Sequence, residues 1–278
     1  MKTRLMIGMS AAVFAASAAA APEIRRETRT ENGRKIEYMW IDGVKVHETD
    51  PAKQPPPEVV DPGPYDAEEA EAPDDAIILF DGTPESFEEN WRAMNGGESK
   101  WELIDGVMQP VRGAGYIRTA DEFGSCRLHV EFATPEDVKG DGQGRGNSGV
   151  FLMGEYEVQI LDSHDNPTYP DGQCGAIYGR AVPRVNACRP PGEWQTYDIT
   201  FHRPIFDDEG EVTRKARFTV IHNGVLIHDD VELGGGTGWM GPHAVSPYKK
   251  HGDTGPIALQ DHGNPVRFRN IWVRKLDD

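Results

Sequence analysis

The pair Asn223-Gly224 lies between two alternating segments, Ala216-Arg-Phe-Thr-Val-Ile-His222 and Val225-Leu-Ile-His228. Asn-Gly supplies the two positive-φ positions of a tight turn, so this stretch reads as a β-hairpin. The same pattern recurs along the chain. Cys126-Arg-Leu-His-Val-Glu-Phe132 alternates, with Leu128, Val130 and Phe132 on one side and Glu131 on the other. Ala76 to Phe80 closed by Asp81-Gly82, Lys100 to Gln109 around Asp105-Gly106, Gly115 to Thr119, Trp194 to Phe201, Ile257 to His262 and Val266 to Arg274 read as further strands. No segment shows a convincing helical period. Many short strands with turn residues between them predict an all-β fold, a two-sheet antiparallel sandwich.

The sandwich is expected to occupy residues 76–278. Residues 1–21 read as a secretory signal: Lys2 and Arg4 form a basic start, Leu5 to Ala16 an apolar run, and Ala18-Ala19-Ala20 a small-residue cleavage region. The run is too short and alanine-rich for a membrane span. The expected location is therefore exported, periplasmic or extracellular. Residues 22–75 form an acidic, proline-rich arm. Within it, Lys35 to His47 alternates around Asp42-Gly43 and predicts a local hairpin.

A formal charge of −17 argues against nucleic acid as a partner. The glycines between Gly140 and Gly146 match no phosphate-binding spacing and precede no helix, which discounts nucleotide binding. The cysteines are Cys126, Cys174 and Cys188. In an exported protein Cys174 and Cys188, flanking one loop, are the expected disulfide pair, worth roughly 3 kcal/mol in the chain-entropy description.

The chemistry is expected around Asn147-Ser-Gly-Val-Phe-Leu-Met-Gly-Glu-Tyr-Glu-Val-Gln-Ile-Leu-Asp-Ser163. Alternation puts Glu157 and Gln159 on the face opposite Val158 and Ile160. In Ile257 to His262 it puts Gln260 and His262 opposite Ile257 and Leu259. Two such strands could line one shared polar surface, with Glu131 and Arg267 or Arg269 assigned to it by the same alternation. Two long loops, Ser163 to Glu193 and Gly234 to Gly252, are expected to rim it.

Asp75-Ala-Ile-Ile-Leu-Phe-Asp-Gly82, Asn147-Ser-Gly-Val-Phe-Leu152, Tyr156-Glu-Val-Gln-Ile-Leu-Asp-Ser163, Gly175-Ala-Ile-Tyr178, Pro191-Gly-Glu-Trp-Gln-Thr-Tyr-Asp198, His222-Asn-Gly224 and Gly255 to Arg274 together fit one pattern. From about Asp75 to its end the chain resembles the 3-keto-disaccharide hydrolase domain family. The resemblance implies a concanavalin A-like jelly-roll sandwich acting on glycosides oxidised to a ketone at sugar carbon 3. Met153 departs from it, standing where many relatives carry an arginine.

Such chemistry needs a base for the proton on carbon 2 and donors for the developing enolate. Glu157 and His262 are the expected catalytic residues. Glu131, Gln159, Asp162, His164, Lys249, His251, Gln260, Asp261 and Arg267 are the expected substrate-binding set. Glu157, Asp162, Asp261 and His262 include ligand types for a divalent cation, but no fixed spacing assigns one. The expected partner is a 3-keto-glucoside or related small carbohydrate.

A two-carboxylate glycosidase fits poorly. Gln159 stands where a second carboxylate on the face would be, and Asp162 lies an odd number of residues from Glu157. The rival reading is a non-catalytic, lectin-like module that stacks sugars on Trp239, Tyr169 and Tyr178.

Overall fold

A computed structural model describes residues 24–31, 34–41, 44–46, 55–64, 71–238 and 246–278. The predicted signal segment and Trp239 lie outside these residues.

The architecture is the expected all-β, two-sheet antiparallel sandwich. One sheet has eight strands. Along its path lie Val225–Glu232, Arg217–His222, Gln195–His202, Cys126–Ala133, Arg267–Lys275, Val107–Gln109 and Glu102–Ile104, with Ile77–Phe80 also pairing Arg267–Lys275. The other sheet has five, in the order Tyr156–Ile160, Ser148–Leu152, Ala258–Leu259, Ile117–Thr119 and Trp91–Ala93. All the pairings in both sheets are antiparallel. Neighbours distant in sequence, such as Ser148–Leu152 beside Ala258–Leu259, bring the two polar segments together.

The interior is filled from both sheets. Phe132, Phe201, Phe218 and Phe268 from the larger sheet meet Val150, Val158, Ile160 and Leu259 from the smaller, all completely buried. Each large apolar side chain buried this way contributes roughly 1.5–3 kcal/mol. That apolar interior carries the stability and leaves the outer face of the five-stranded sheet free to hold polar groups. Tyr197 crosses from the larger sheet, and its hydroxyl donates to the Gln159 carbonyl at 2.7 Å, fixing the strand that bears Glu157.

Several expectations need correction. Pro84–Asn90 is an α-helix, capped by the Thr83 side chain, which accepts from the Ser86 amide, with proline in its first turn. At seven residues it is too short to show an apolar period. Its signature is local: a Thr-Pro-Glu start that suits an N-cap followed by a first turn. The cysteines are free thiols rather than a bridged pair. Tyr197 Oη lies 3.1 Å from the Cys174 sulfur, and Gln195 Nε2 donates to the Cys188 sulfur at 3.4 Å.

In the arm, Arg34–Ile41 pairs Val44–Lys45 with Ile41 opposite Val44, on either side of Asp42-Gly43. Ile24–Glu31 adds a strand not anticipated, pairing Arg34–Ile41 with Glu31 opposite Arg34. The intervening residues are Asn32-Gly33, a hairpin signal hidden within a charge-dense stretch. Further on, Glu58–Val59 pairs in parallel with Val185–Asn186, and Arg189 Nε donates to the Gly63 carbonyl at 3.1 Å. This segment of the arm thus docks on the loop between the site strand and Gln195–His202.

Candidate functional site

Alternation across the five-stranded sheet sorts its side chains into rows. Glu157, Phe151, Ala258 and Arg118 are successive cross-strand partners. Gln159 stands opposite Gly149, and the Gln260 amide donates to the Gly149 carbonyl at 3.1 Å. Both rows face away from the interior, since Val158, Val150, Leu259 and Ile117 take the buried side.

This outer face is nonetheless closed. Glu157 is 5 % exposed, Gln159 2 % and Gln260 8 %. The segment after Ser163 folds back along the edge strand: the Gln159 amide donates to Ala176 O, Gly175 N to Gln159 O, and Tyr178 N to Glu157 O. From it Tyr169 and Tyr178 join hydroxyl to hydroxyl at 2.7 Å, both within the electrostatic reach of Glu157. Tyr169 lies over Gly172, where any side chain would overlap its ring.

Burial decides the state of Glu157. With so little water to solvate its charge, the carboxyl is pushed up from its ordinary value of 4.5 to about 8. The Gln159 side-chain amide lies against this carboxyl. With its nitrogen toward Glu157 it donates to Oε1 at 3.0 Å and to the Ser148 carbonyl at 2.9 Å. Gly149 makes room for the carboxyl, because Glu157 Oε1 leans into the space a Cβ at 149 would take. On the other flank, the Tyr116 ring packs 5.7 Å from Phe151 and Gln260 Nε2 donates to its hydroxyl. Gln260 Oε1 is buried without a hydrogen-bond partner.

The structure brings Glu157, Gln159 and Gln260 onto one face, with Asp261 at its rim. Asp261 Oδ2 accepts from Gly115 N at 3.0 Å and Oδ1 from Gly263 N at 2.9 Å. The strand ends at Leu259, so alternation does not extend to His262. His262 is exposed on the following loop, its carbonyl accepting from Asn264 Nδ2 at 3.4 Å.

Other expected site residues are elsewhere. Glu131 and Arg267 belong to the eight-stranded sheet, on its outer face, because Leu128, Val130 and Phe132 take the interior side. Glu131 is bound by Arg269 at 2.6 Å and Asn270 at 2.7 Å. Arg267 donates to the Gly192 carbonyl at 2.9 Å beside the Trp194 ring. His251 sits on Tyr156, Nε2 to hydroxyl at 2.7 Å, and Tyr156 points to the interior side of its strand. Lys249 is exposed on the loop before it.

Asp162 accepts from Arg145 Nε at 2.6 Å and from His164 N at 3.2 Å. The His164 carbonyl accepts from Arg145 at 2.9 Å, and its partly exposed ring lies 3.8 Å from Asp165. Arg145 and Asp162 line a cleft of ≈ 230 Å³ with Gly263 and Asn264, and none of Glu157, Gln159 or Gln260 lines it. Among the described residues no three His, Cys, Asp or Glu side chains are grouped to hold a metal ion. The four metal-ligand types named from the sequence are therefore not gathered.

Sequence reasoning missed Tyr116 and Gly149. Tyr116 stands just before Ile117–Thr119, and its alternation with Ile117 was available as a signal. The need for glycine at 149 depends on how Glu157 leans, which only the folded sheet shows.

The result is a β-sandwich with a closed polar face on its five-stranded antiparallel sheet, which holds the buried Glu157 carboxyl. The chain belongs to the 3-keto-alpha-glucoside-1,2-lyase-like domain family, whose model matches residues 75–274. A crystal structure from Parabacteroides distasonis ATCC 8503, provisionally described as a glycosyl hydrolase, is 42% identical. It covers 80% of this chain and 93% of its own, with a TM-score of 0.71. A second structure from the same organism, described in the same way, is 21% identical over 76% of this chain and 98% of its own. Its TM-score of 0.54 shows the shared fold. No curated protein matches the chain.

Proposed function

We propose that this protein is an exported carbohydrate-active enzyme that cleaves 3-keto-glycosides by elimination, with Glu157 as the base. The observation that supports this best is the buried Glu157 carboxyl, raised to about 8, on the face that Gln159 and Gln260 share. A base is most effective when its proton affinity lies near the working pH, and burial supplies that here.

A ketone at carbon 3 makes the carbon 2 proton acidic. Glu157 in its ionised form takes that proton, and the electron pair passes into the enolate. The bond from carbon 1 to the aglycone oxygen then breaks, leaving a double bond between carbons 1 and 2. Water added to that double bond gives net hydrolysis. Gln159 holds the carboxyl in place, and a closed face keeps bulk water from reprotonating carbon 2 early. The family's description as 3-keto-alpha-glucoside-1,2-lyase-like supports this reaction type.

The test is incubation of purified protein with a 3-keto-glucoside and its unoxidised parent in deuterated buffer. Consumption of the keto sugar alone, with solvent deuterium found at carbon 2 of the hydrated product, is expected. Binding of both sugars without turnover would favour the lectin-like reading.

A further inference from the structure

Tyr116 faces the same ground as Glu157 from the opposite side. Ile117 is the cross-strand partner of Leu259, so Tyr116, one residue earlier, lies beside Gln260. Its ring packs on Phe151, the cross-strand neighbour of Glu157. Between these flanks the sheet presents Gly149, with no side chain. Glu157 leans over this glycine from one strand, and Tyr116 reaches toward it from two strands away. The charge of Glu157 is felt at the tyrosine hydroxyl.

The hydrogen-bond pattern gives the hydroxyl a direction. Gln260 Nε2 donates to the Tyr116 oxygen, so that oxygen is an acceptor there. Its own hydrogen must point elsewhere, and among the described residues it reaches no acceptor. A half-buried phenol whose oxygen is held by an amide and whose proton is unengaged is placed to donate to a ligand.

We propose that Tyr116 is the acid that protonates the departing glycosidic oxygen, facing Glu157 across Gly149. The assignment rests on the elimination reading above and completes it. The proton on carbon 2 goes to Glu157. The pair of electrons from the breaking carbon 1–oxygen bond stays on the aglycone oxygen, which takes the Tyr116 proton. The step leaves a neutral carboxyl and a phenolate, and transfer of one proton between them, directly or through water, restores both groups. No oxidant, reductant or further reactant is needed. Burial first, and then the charges of Glu157 and Asp261, hold the phenol above its ordinary value of 10 despite the Gln260 hydrogen bond, so it carries its proton at neutral pH.

The test compares wild type, Tyr116→Phe and Glu157→Gln on two 3-keto-glucosides, one releasing 4-nitrophenol and one releasing methanol. Nitrophenolate departs without help, whereas methoxide needs a proton. Tyr116→Phe should therefore lose about 10²- to 10⁴-fold in kcat on the methyl glycoside and under about tenfold on the nitrophenyl one. Glu157→Gln should lose heavily on both. Gln260→Met, which removes the N–H that fixes the hydroxyl, should show the same selective loss to a smaller degree, so the assignment does not hang on one variant. Equal losses on both substrates, or none, in a folded Tyr116→Phe protein would overturn the acid role alone. A wild-type protein that consumes neither substrate would overturn the elimination reading, and the acid role with it.

Discussion

Glu157 Oε1 occupies the space where a Cβ on Gly149 would stand, with the ring of Phe151 closing the same space from the side. The two residues lie on neighbouring strands one register step apart, since Gly149 faces Gln159 and Phe151 faces Glu157. Gly149 does not have a positive φ. Its lack of a side chain therefore serves the position of the carboxyl rather than a turn.

Gly149→Ala should leave the backbone undisturbed and push the Glu157 carboxyl aside. A displacement of about 1 Å costs on the order of 10²-fold in rate when the group is a catalytic base. The expected result is that loss in kcat/KM on a 3-keto-glucoside, with Tm changed by only a few degrees. Unchanged kinetics would show that the carboxyl's lean has no part in the chemistry.

The pH profile should follow Glu157. A base must be ionised, so kcat/KM should rise with pH and level off above about 8. The limb is read after subtracting the alkaline decay of the substrate itself. A plateau already complete by pH 5 would mean that burial does not raise this carboxyl.

Stability should have an optimum with opposite causes on its two sides. Glu157 is held above its unfolded value of 4.5, so its contribution is fully present below that value and lost as pH rises through about 8. His222 and His228 are pulled down by burial, to about 3 and about 4, from an ordinary 6.5. Their contribution is present above 6.5 and fades as pH falls toward 4 and then 3. His228 Nε2 lies 2.8 Å from the Gly175 carbonyl and His222 Nε2 2.9 Å from Gln195 Oε1, so both sit in neutral hydrogen-bonded niches. Denaturant unfolding from pH 4 to pH 9 should show Glu157→Gln gaining on wild type progressively between about pH 4.5 and about pH 8, by up to about 1.4 kcal/mol per pH unit, and no further above that. A parallel pair of curves would refute the assignment.

Glu131→Gln is the matched control from the other sheet. Glu131 is 1 % exposed and bound by Arg269 and Asn270. Weakening a buried pair leaves a charge poorly compensated, a loss of about 3–5 kcal/mol at the extreme. Unfolding should register that loss while kcat per folded molecule stays near wild type. A selective fall in kcat would return Glu131 to the site.

Free thiols make a further prediction. With the chain unfolded in denaturant and no reductant added, a thiol reagent should titrate three groups, and in the native state almost none, because all three cysteines are buried. One titratable group in denaturant would mean that Cys174 and Cys188 are bridged.

Much of the fold was readable because the sandwich is built from short alternating strands whose turns carry Asn-Gly or Asp-Gly. Asn223-Gly224 and Asp105-Gly106 mark two of them, and both Asn223 and Asp105 adopt positive φ. The helix at Pro84–Asn90 escaped because seven residues cannot display a period. At the site, alternation sufficed for Glu157, Gln159 and Gln260. It failed for Glu131 and Arg267, since alternation tells inside from outside but not which sheet's outside. It failed for His262 because the strand ends three residues earlier. Met153, read as a departure from the family pattern, takes a left-handed φ of 55° and packs against the core. Tyr116 gains meaning only from Gln260, 144 residues away at the end of a paired strand, and Gly149 only from the way Glu157 leans over it from the neighbouring strand.

The most direct measurement is turnover of a 3-keto-glucoside by Glu157→Gln, an isosteric change in a protein checked by its Tm to be folded. A fall of about 10²- to 10⁴-fold with little change in sugar binding is predicted. Turnover close to wild type would contradict the account at its centre.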